Sequence, residues 1–173
     1  MYEKEKQKLK ILIDDFKFNH EQYLQMSEAD IETKLVEELF VNILGWNKND
    51  FKKQATAYRG DVRGRADYAF YINDKLVFFL EVKKVNVPLS KEADKQVISY
   101  ALSKRVPFAV STNFEEMKVF CVEAETENKR LLKKFISPDA YLEKFNDLWL
   151  LSKESFLKEL LLKRGLFFYS YLG

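Results

Sequence analysis

Asp67, Glu81 and Lys83 stand in the most apolar stretch of the chain, which runs Arg65-Ala-Asp-Tyr-Ala-Phe-Tyr-Ile-Asn-Asp-Lys-Leu-Val-Phe-Phe-Leu-Glu-Val-Lys83. Charged groups placed in a buried hairpin are costly unless a cation or a negative substrate compensates them. Two carboxylates can share one divalent cation, and Mg²⁺ prefers one or two carboxylates completed by waters and phosphate oxygen. A lysine beside such a pair can acidify the attacking water or neutralise charge that develops on phosphorus. The chemistry these residue types suggest is metal-dependent cleavage of a phosphodiester.

Their spacing sets conditions on the backbone. Glu81 and Lys83 alternate across one pleat and share a face with Phe79. Asn73-Asp74 is a turn signal between two strands expected at 66–72 and 76–83. A three-residue loop, Asn73 to Lys75, sets Asp67 opposite Glu81. A two-residue loop throws Asp67 to the other face unless a bulge intervenes. Glu-x-Lys alone says little, because it occurs at Glu32, Glu81, Glu116 and Glu127. Only the copy at Glu81 follows an apolar run, Leu76-Val-Phe-Phe-Leu80, with an aspartate at the start of the preceding strand. The competing reading is an ion pair on an edge strand.

The elements that must position these residues follow from pattern. Residues 3–25 form a charged amphipathic helical segment. Ser27 caps a helix whose apolar stripe includes Ile31, Leu35 and Leu39, with Gly45 as its stop. A strand is expected at 51–58 and a loop over Tyr58–Arg65 with its two glycines. Ser90 opens a helix to about 104, and strands follow at 107–111 and 117–122. Ser137-Pro138 starts a helix to about Leu150, and Ser152 caps a last one ended by Gly165. The helix between Lys83 and Pro107 acts as a crossover, so the strands on either side of it should pair parallel.

The 173 residues, 47% of them apolar, suit one compact domain with a real core. No apolar run is long enough to span a membrane, and the charged N-terminus lacks a signal-peptide core, so a cytoplasmic protein is expected. The single cysteine, Cys121, excludes an internal disulfide and reads as a buried strand thiol. Net charge is only +2, but cations cluster beside the carboxylates. Lys52, Lys53, Arg59, Arg63 and Arg65 oppose Asp61 alone, and Lys83, Lys84, Lys91, Lys95, Lys104 and Arg105 oppose Glu92 and Asp94. Arg59, Arg63, Arg65, Lys84 and Lys95 are therefore candidate phosphate contacts, against the alternative of a solvated face.

The motifs in order resemble the PD-(D/E)xK nucleases, and within them the N-terminal nuclease domain of type I restriction R subunits and of fused type IIG restriction–modification enzymes. The residues that carry the resemblance are Ala66-Asp67, Glu81-Val-Lys83 and Gln96-Val-Ile-Ser-Tyr100, the last like the Gln-x-x-x-Tyr motif of the RecB-like subgroup. The helix start Ser27-Glu-Ala-Asp-Ile-Glu-Thr and its end at Leu44-Gly-Trp46 match as well. Ala66 stands where the family motif has proline.

The resemblance spans 27–123 and implies an α/β restriction-endonuclease-like αβββαβ core, a mixed central sheet flanked by helices. It leaves 1–26 as an N-terminal helical segment and 124–173 as a C-terminal helical extension or linker. It further implies Mg²⁺-dependent cleavage of double-stranded DNA, with Mn²⁺ as substitute. It aligns Glu32 with a helix glutamate that supplements the metal shell, and Val82 falls within the metal group with Asp67 and Glu81. Gln96 and Tyr100 would point at the site rim; the plain alternative is a core-facing tyrosine. Implied partners are the methyltransferase, specificity or motor parts of a restriction system. A non-catalytic DNA-binding or assembly module and a repair-type nuclease are the alternatives. His20 reads as a surface residue and Trp46 as a core plug. The aromatic end, Leu166-Phe-Phe-Tyr-Ser-Tyr-Leu-Gly173, suggests a fragment or a frameshifted product.

Overall fold

A computed structural model describes the backbone of residues 1–163 and the side chains of residues 1–159. The stop expected at Gly165 and the aromatic end lie outside the described residues. The elements are α1 (Glu3–Phe18), α2 (His20–Leu24), a helix over 28–43 (α3), β1 (Phe51–Arg59), β2 (Val62–Ile72), β3 (Lys75–Val82) and α4 (Lys91–Ser103). Then come β4 (Phe108–Thr112), β5 (Met117–Cys121), β6 (Leu131–Phe135), α5 (Pro138–Glu143), α6 (Phe145–Trp149) and α7 (Lys153–Lys163). The strands form one sheet in sequential order β1-β2-β3-β4-β5-β6. β3 and β4 pair parallel across the α4 crossover, and every other neighbouring pair is antiparallel. The mixed sheet flanked by helices is the one the sequence implied, and β3 is a central strand, so Glu81 is not an edge residue.

The two faces of the sheet are covered unequally. Tyr68, Phe70, Phe78, Leu80, Val110 and Val119 pack against side chains of α1, α3, α5, α6 and α7 in the larger core, and Leu9, Ile13 and Phe16 of the N-terminal helix belong to it. Trp46 plugs that core, 1% exposed, and its Nε1 donates to the Leu151 carbonyl at 2.8 Å. The opposite face is lined by small residues, Ala57, Ala66, Ala69 and Ala109 with Phe79 and Phe120, and α4 closes it with Val97, Tyr100 and Ala101. Alanines on the strands let one helix approach closely. Among the described residues no helix is long and apolar enough to cross a membrane.

Four expectations are corrected. The loop over Tyr58–Arg65 is a hairpin: β1 continues to Arg59 and β2 starts at Val62, with Gly60 at φ +61° making the turn. Glycine count suggested a loop, but Gly64 lies inside a strand. The segment 124–173 is not wholly helical, since β6 pairs with β5. Its short, lysine-bearing sequence Leu-Leu-Lys-Lys-Phe lacks the apolar alternation of a covered strand. The helix from Ser137 is broken at Lys144 into α5 and α6. Finally, α3 is α-helical only over Glu28–Ile31 and π-helical over Glu32–Val36 and Glu38–Ile43.

Candidate active site

The hairpin decides whether Asp67 meets Glu81. Its loop has two residues, Asn73 and Asp74, both with positive φ (48° and 63°), as a type I′ turn requires. Ile72 pairs with Lys75 and Tyr71 with Leu76, but Phe70 pairs with Phe78, so Val77 is an extra residue on β3. That bulge restores the register a three-residue loop would have given. Ala69 then faces Phe79 and Tyr68 faces Leu80, and beyond that last pair Asp67 meets Glu81 through a hydrogen bond. The two carboxylates are cross-wired: the Asp67 N–H donates to Glu81 Oε2 at 3.1 Å, and the Val82 N–H donates to Asp67 Oδ2 at 2.7 Å.

The remaining carboxylate oxygens take side-chain donors. Gln96 Nε2 on α4 donates to Glu81 Oε1 at 2.8 Å and to the Tyr100 hydroxyl at 3.3 Å. Gln54 Nε2 on β1 donates to Asp67 Oδ1 at 3.2 Å. Glu81 is 3% exposed. Burial, then the Asp67 carboxylate beside it, push its pKa up to about 8, against the pull of the Asp67 N–H, Lys83 and Gln96. Lys83 follows the last residue of β3, and its N–H donates to the Thr112 carbonyl at 2.9 Å. Asp67, Glu81, Lys83, Gln96 and Tyr100 are thus gathered at one place. Tyr100 answers to both readings, since its ring lies in the α4 core while its hydroxyl receives Gln96.

Glu32 sits nearby but with other partners. It is 6% exposed. Burial and Asp67 raise its pKa, while Lys53 and Tyr68 pull it down. Lys53 Nζ lies 3.3 Å from Glu32 and 3.0 Å from Glu37, and the Tyr68 hydroxyl donates to Glu37 at 2.8 Å and reaches Glu32 at 3.5 Å. The π-winding explains this pairing. Its i→i+5 bond, from the Glu37 N–H to the Glu32 carbonyl, brings residues five apart toward one side of the helix. Burial and the Glu37 contact also push the Tyr68 hydroxyl far above its usual range.

Four neighbours escaped the sequence reading. Lys53 and Tyr68 hold Glu32, and Gln54 holds Asp67. Gln54 carries a positive φ of 53° inside a strand. The chain switches faces there, so Lys53 lies with Tyr68 while Ala55 and Ala57 face α4. The fourth is Gly64, where a side chain would collide with the Tyr100 hydroxyl and lie 3.1 Å from its ring. Only the strand register reveals these residues, and the local sequence carries no signal for it.

The expected basic rim is dispersed. Arg59 pairs with Glu92 on α4, and with Lys95 it lines a groove of about 740 Å³ beside that helix. Gly64 and Ala66 face α4, so the alternating Arg63 and Arg65 point away from it, both exposed. Lys84 is exposed beyond β3. His20 is only partly exposed, with Nε2 2.8 Å from Glu115.

The donor set suits a hard cation. Asp67 and Glu81 offer carboxylate oxygens, each oxygen retaining a second lone pair beyond its hydrogen bond. Val82 has a buried apolar side chain and its N–H is spent on Asp67, which leaves only its carbonyl. Among the described residues, no group of three or more His, Cys, Asp or Glu side chains is placed to hold a metal. The two strand carboxylates are the fitting pair, and Glu32 lies near Asp67 with Lys53 and Tyr68 as its partners.

A family model described as the type I restriction enzyme R protein N terminus matches residues 27–135, more than half of the chain. The chain belongs to this family. Among solved structures, the "fragment structure of a putative HsdR subunit of a type I restriction enzyme from Vibrio vulnificus YJ016" is similar at 27% identity and a TM-score of 0.50. The match covers 69% of this chain and 25% of that one, so the chain spans about a quarter of its solved R-subunit relative. No curated protein matches the chain. The family match reaches past the 27–123 core read from sequence and takes in β6.

Proposed function

We propose that this R-protein N-terminal domain is a Mg²⁺-dependent DNA endonuclease serving a restriction system, with double-stranded DNA as substrate. The observation that carries the reading is the cross-wired Asp67–Glu81 pair at the end of a central strand, where burial and the opposed carboxylate hold Glu81 up near 8. A carboxylate so destabilised as an anion has a use for a cation. When bound, Mg²⁺ supplies charge neutralisation at the phosphate and acidification of water.

The chain's own residues do the rest. Asp67 and Glu81, with the Val82 carbonyl, would provide the oxygen ligands. Gln54 and Gln96 fix the orientation of those carboxylates through single hydrogen bonds. The Lys83 ammonium opposes the negative charge that builds on the phosphoryl oxygens as a water oxygen bonds to phosphorus and the bond to the leaving sugar oxygen breaks. Methyltransferase, specificity and motor subunits or domains are the partners such a domain would serve.

The test is cleavage of plasmid and linear duplex DNA across metals. Cleavage should require Mg²⁺ or Mn²⁺ and stop with chelator, while Ca²⁺ should support binding without turnover. Undiminished cleavage in excess chelator overturns the metal assignment. Metal-independent DNA binding with no cleavage under any metal points instead to a binding or assembly module of the same fold.

A further inference from the structure

On the α4 side of the sheet, Glu81 pairs with Ser111 of β4, and Ser111 pairs with Lys118 of β5. A polar row therefore runs under α4 from the carboxylate site to Lys118. The helix meets this row at two points. Gln96 bonds Glu81 at 2.8 Å, and two residues earlier Asp94 Oδ2 meets Lys118 Nζ at 2.8 Å. Lys118 Nζ also donates to the Leu89 carbonyl at 2.9 Å, just before the Ser90 cap that starts the helix. Both side chains of the pair are sheltered, 12% exposed for Lys118 and 17% for Asp94. The other Asp94 oxygen, Oδ1, is buried with no hydrogen-bond partner. Among the described residues, Lys118 is the one cation in ion-pair contact with Asp94.

We infer that Lys118 is a positioning residue for the carboxylate site, acting at a distance through α4. Its ammonium ties the segment before the helix and the first helical turn to β5, and so sets where Gln96 stands over Glu81. Without it, Asp94 is a sheltered carboxylate that has lost its ion-pair partner, which is unfavourable. The first turn then lifts to hydrate Asp94, and Gln96, two residues on, leaves Glu81. The metal consequence rests on the nuclease reading; the placement of Gln96 does not.

Lys118→Met keeps the aliphatic stem and removes the charge. In the metal-free full chain, the Gln96 side-chain amide resonances should move toward solvent values, and amide exchange over 91–97 should accelerate. Mn²⁺ affinity, followed by the resonance of the free ion, should fall on the order of tenfold, the scale seen when a ligand's hydrogen-bonded support is removed. Lys118→Arg should restore most of both readouts. In a Gln96→Ala background, Lys118→Met should cost no further Mn²⁺ affinity. Unchanged Gln96 resonances in folded Lys118→Met overturn the inference, as does an equal affinity loss with and without Gln96. If the unaltered chain binds no Mn²⁺, the nuclease reading fails, and the Gln96 resonances alone decide the role of Lys118.

Discussion

Lys83 stands two residues after Glu81, just past the end of β3, yet their environments ask different things of them. Lys83 is half-buried at the strand end and attracts the Glu81 carboxylate. Lys83→Ala should leave melting temperature and DNA affinity near those of the parent. Cleavage should fall roughly 10²–10³-fold, the scale for one preorganised charge-stabilising donor. A parallel loss of melting temperature would return Lys83 to a structural role. For Glu81 the sign of the pH effect follows from a folded-state pKa raised from 4.5 to about 8. The folded protein holds the proton where the unfolded chain has released it. This contribution is present at low pH and disappears as pH rises through about 8. Without metal, Glu81→Gln should therefore gain stability over the parent between pH 5 and 8, on the order of 2–4 kcal/mol. Thermal melts across that range give the answer, and a pH-independent gap removes the buried-acid argument.

At the scale of elements, the approach of β2 to α4 is set by one glycine. Gly64 leaves room for the Tyr100 hydroxyl, the atom an added methyl would strike first. Gly64→Ala should push the Tyr100 end of α4 away, lowering stability by about 1–3 kcal/mol as overpacking does. Tyr100→Phe removes the struck oxygen, so Gly64→Ala should cost less in that background. Chemical denaturation of the four proteins measures the coupling, and additive costs would mean that the helix does not yield there. The bulge at Val77 shows the same dependence on pairing. A turn as short as Asn73-Asp74 would misplace Asp67 but for one extra residue on β3.

At the scale of the molecule, the cations near the site are divided, among the described residues, between two faces of the sheet. Arg59 faces α4 and is paired with Glu92, whereas Arg63 and Arg65 project from the outer hairpin on the other side. A duplex that touches Arg63 and Arg65 must lie along that outer face. Replacing Arg63 and Arg65 together should reduce the slope of log affinity against log salt by about 0.9 for each phosphate no longer neutralised. Replacing Arg59, already neutralised by Glu92, should change it less. Fluorescence anisotropy with duplex DNA from low to moderate salt measures both. Equal slopes for all variants would make these arginines a solvated face.

The sequence by itself determined what is local or periodic. Ser27 read as an N-cap, and the structure caps there, with Asp30 completing a capping box that only the coordinates reveal. Ser90 and Ser137 cap where expected, Cys121 and Trp46 are buried, and the crossover predicted a parallel pair. The order of Asp67, Glu81-Val-Lys83 and Gln96-x-x-x-Tyr100 was enough to place the family, because those residues meet through elements adjacent along the chain. The tertiary structure alone decided which of two hairpin registers holds, that Glu32 shares Lys53 and Tyr68 with Glu37, that Gln54 bonds Asp67, that Gly64 makes room for Tyr100, and that Lys118 meets Asp94 beside α4. Those contacts depend on strand pairing, a bulge and a π-wound helix. Each is chosen by the packing of the whole sheet, since a one-residue slip costs little locally but turns every side chain to the other face.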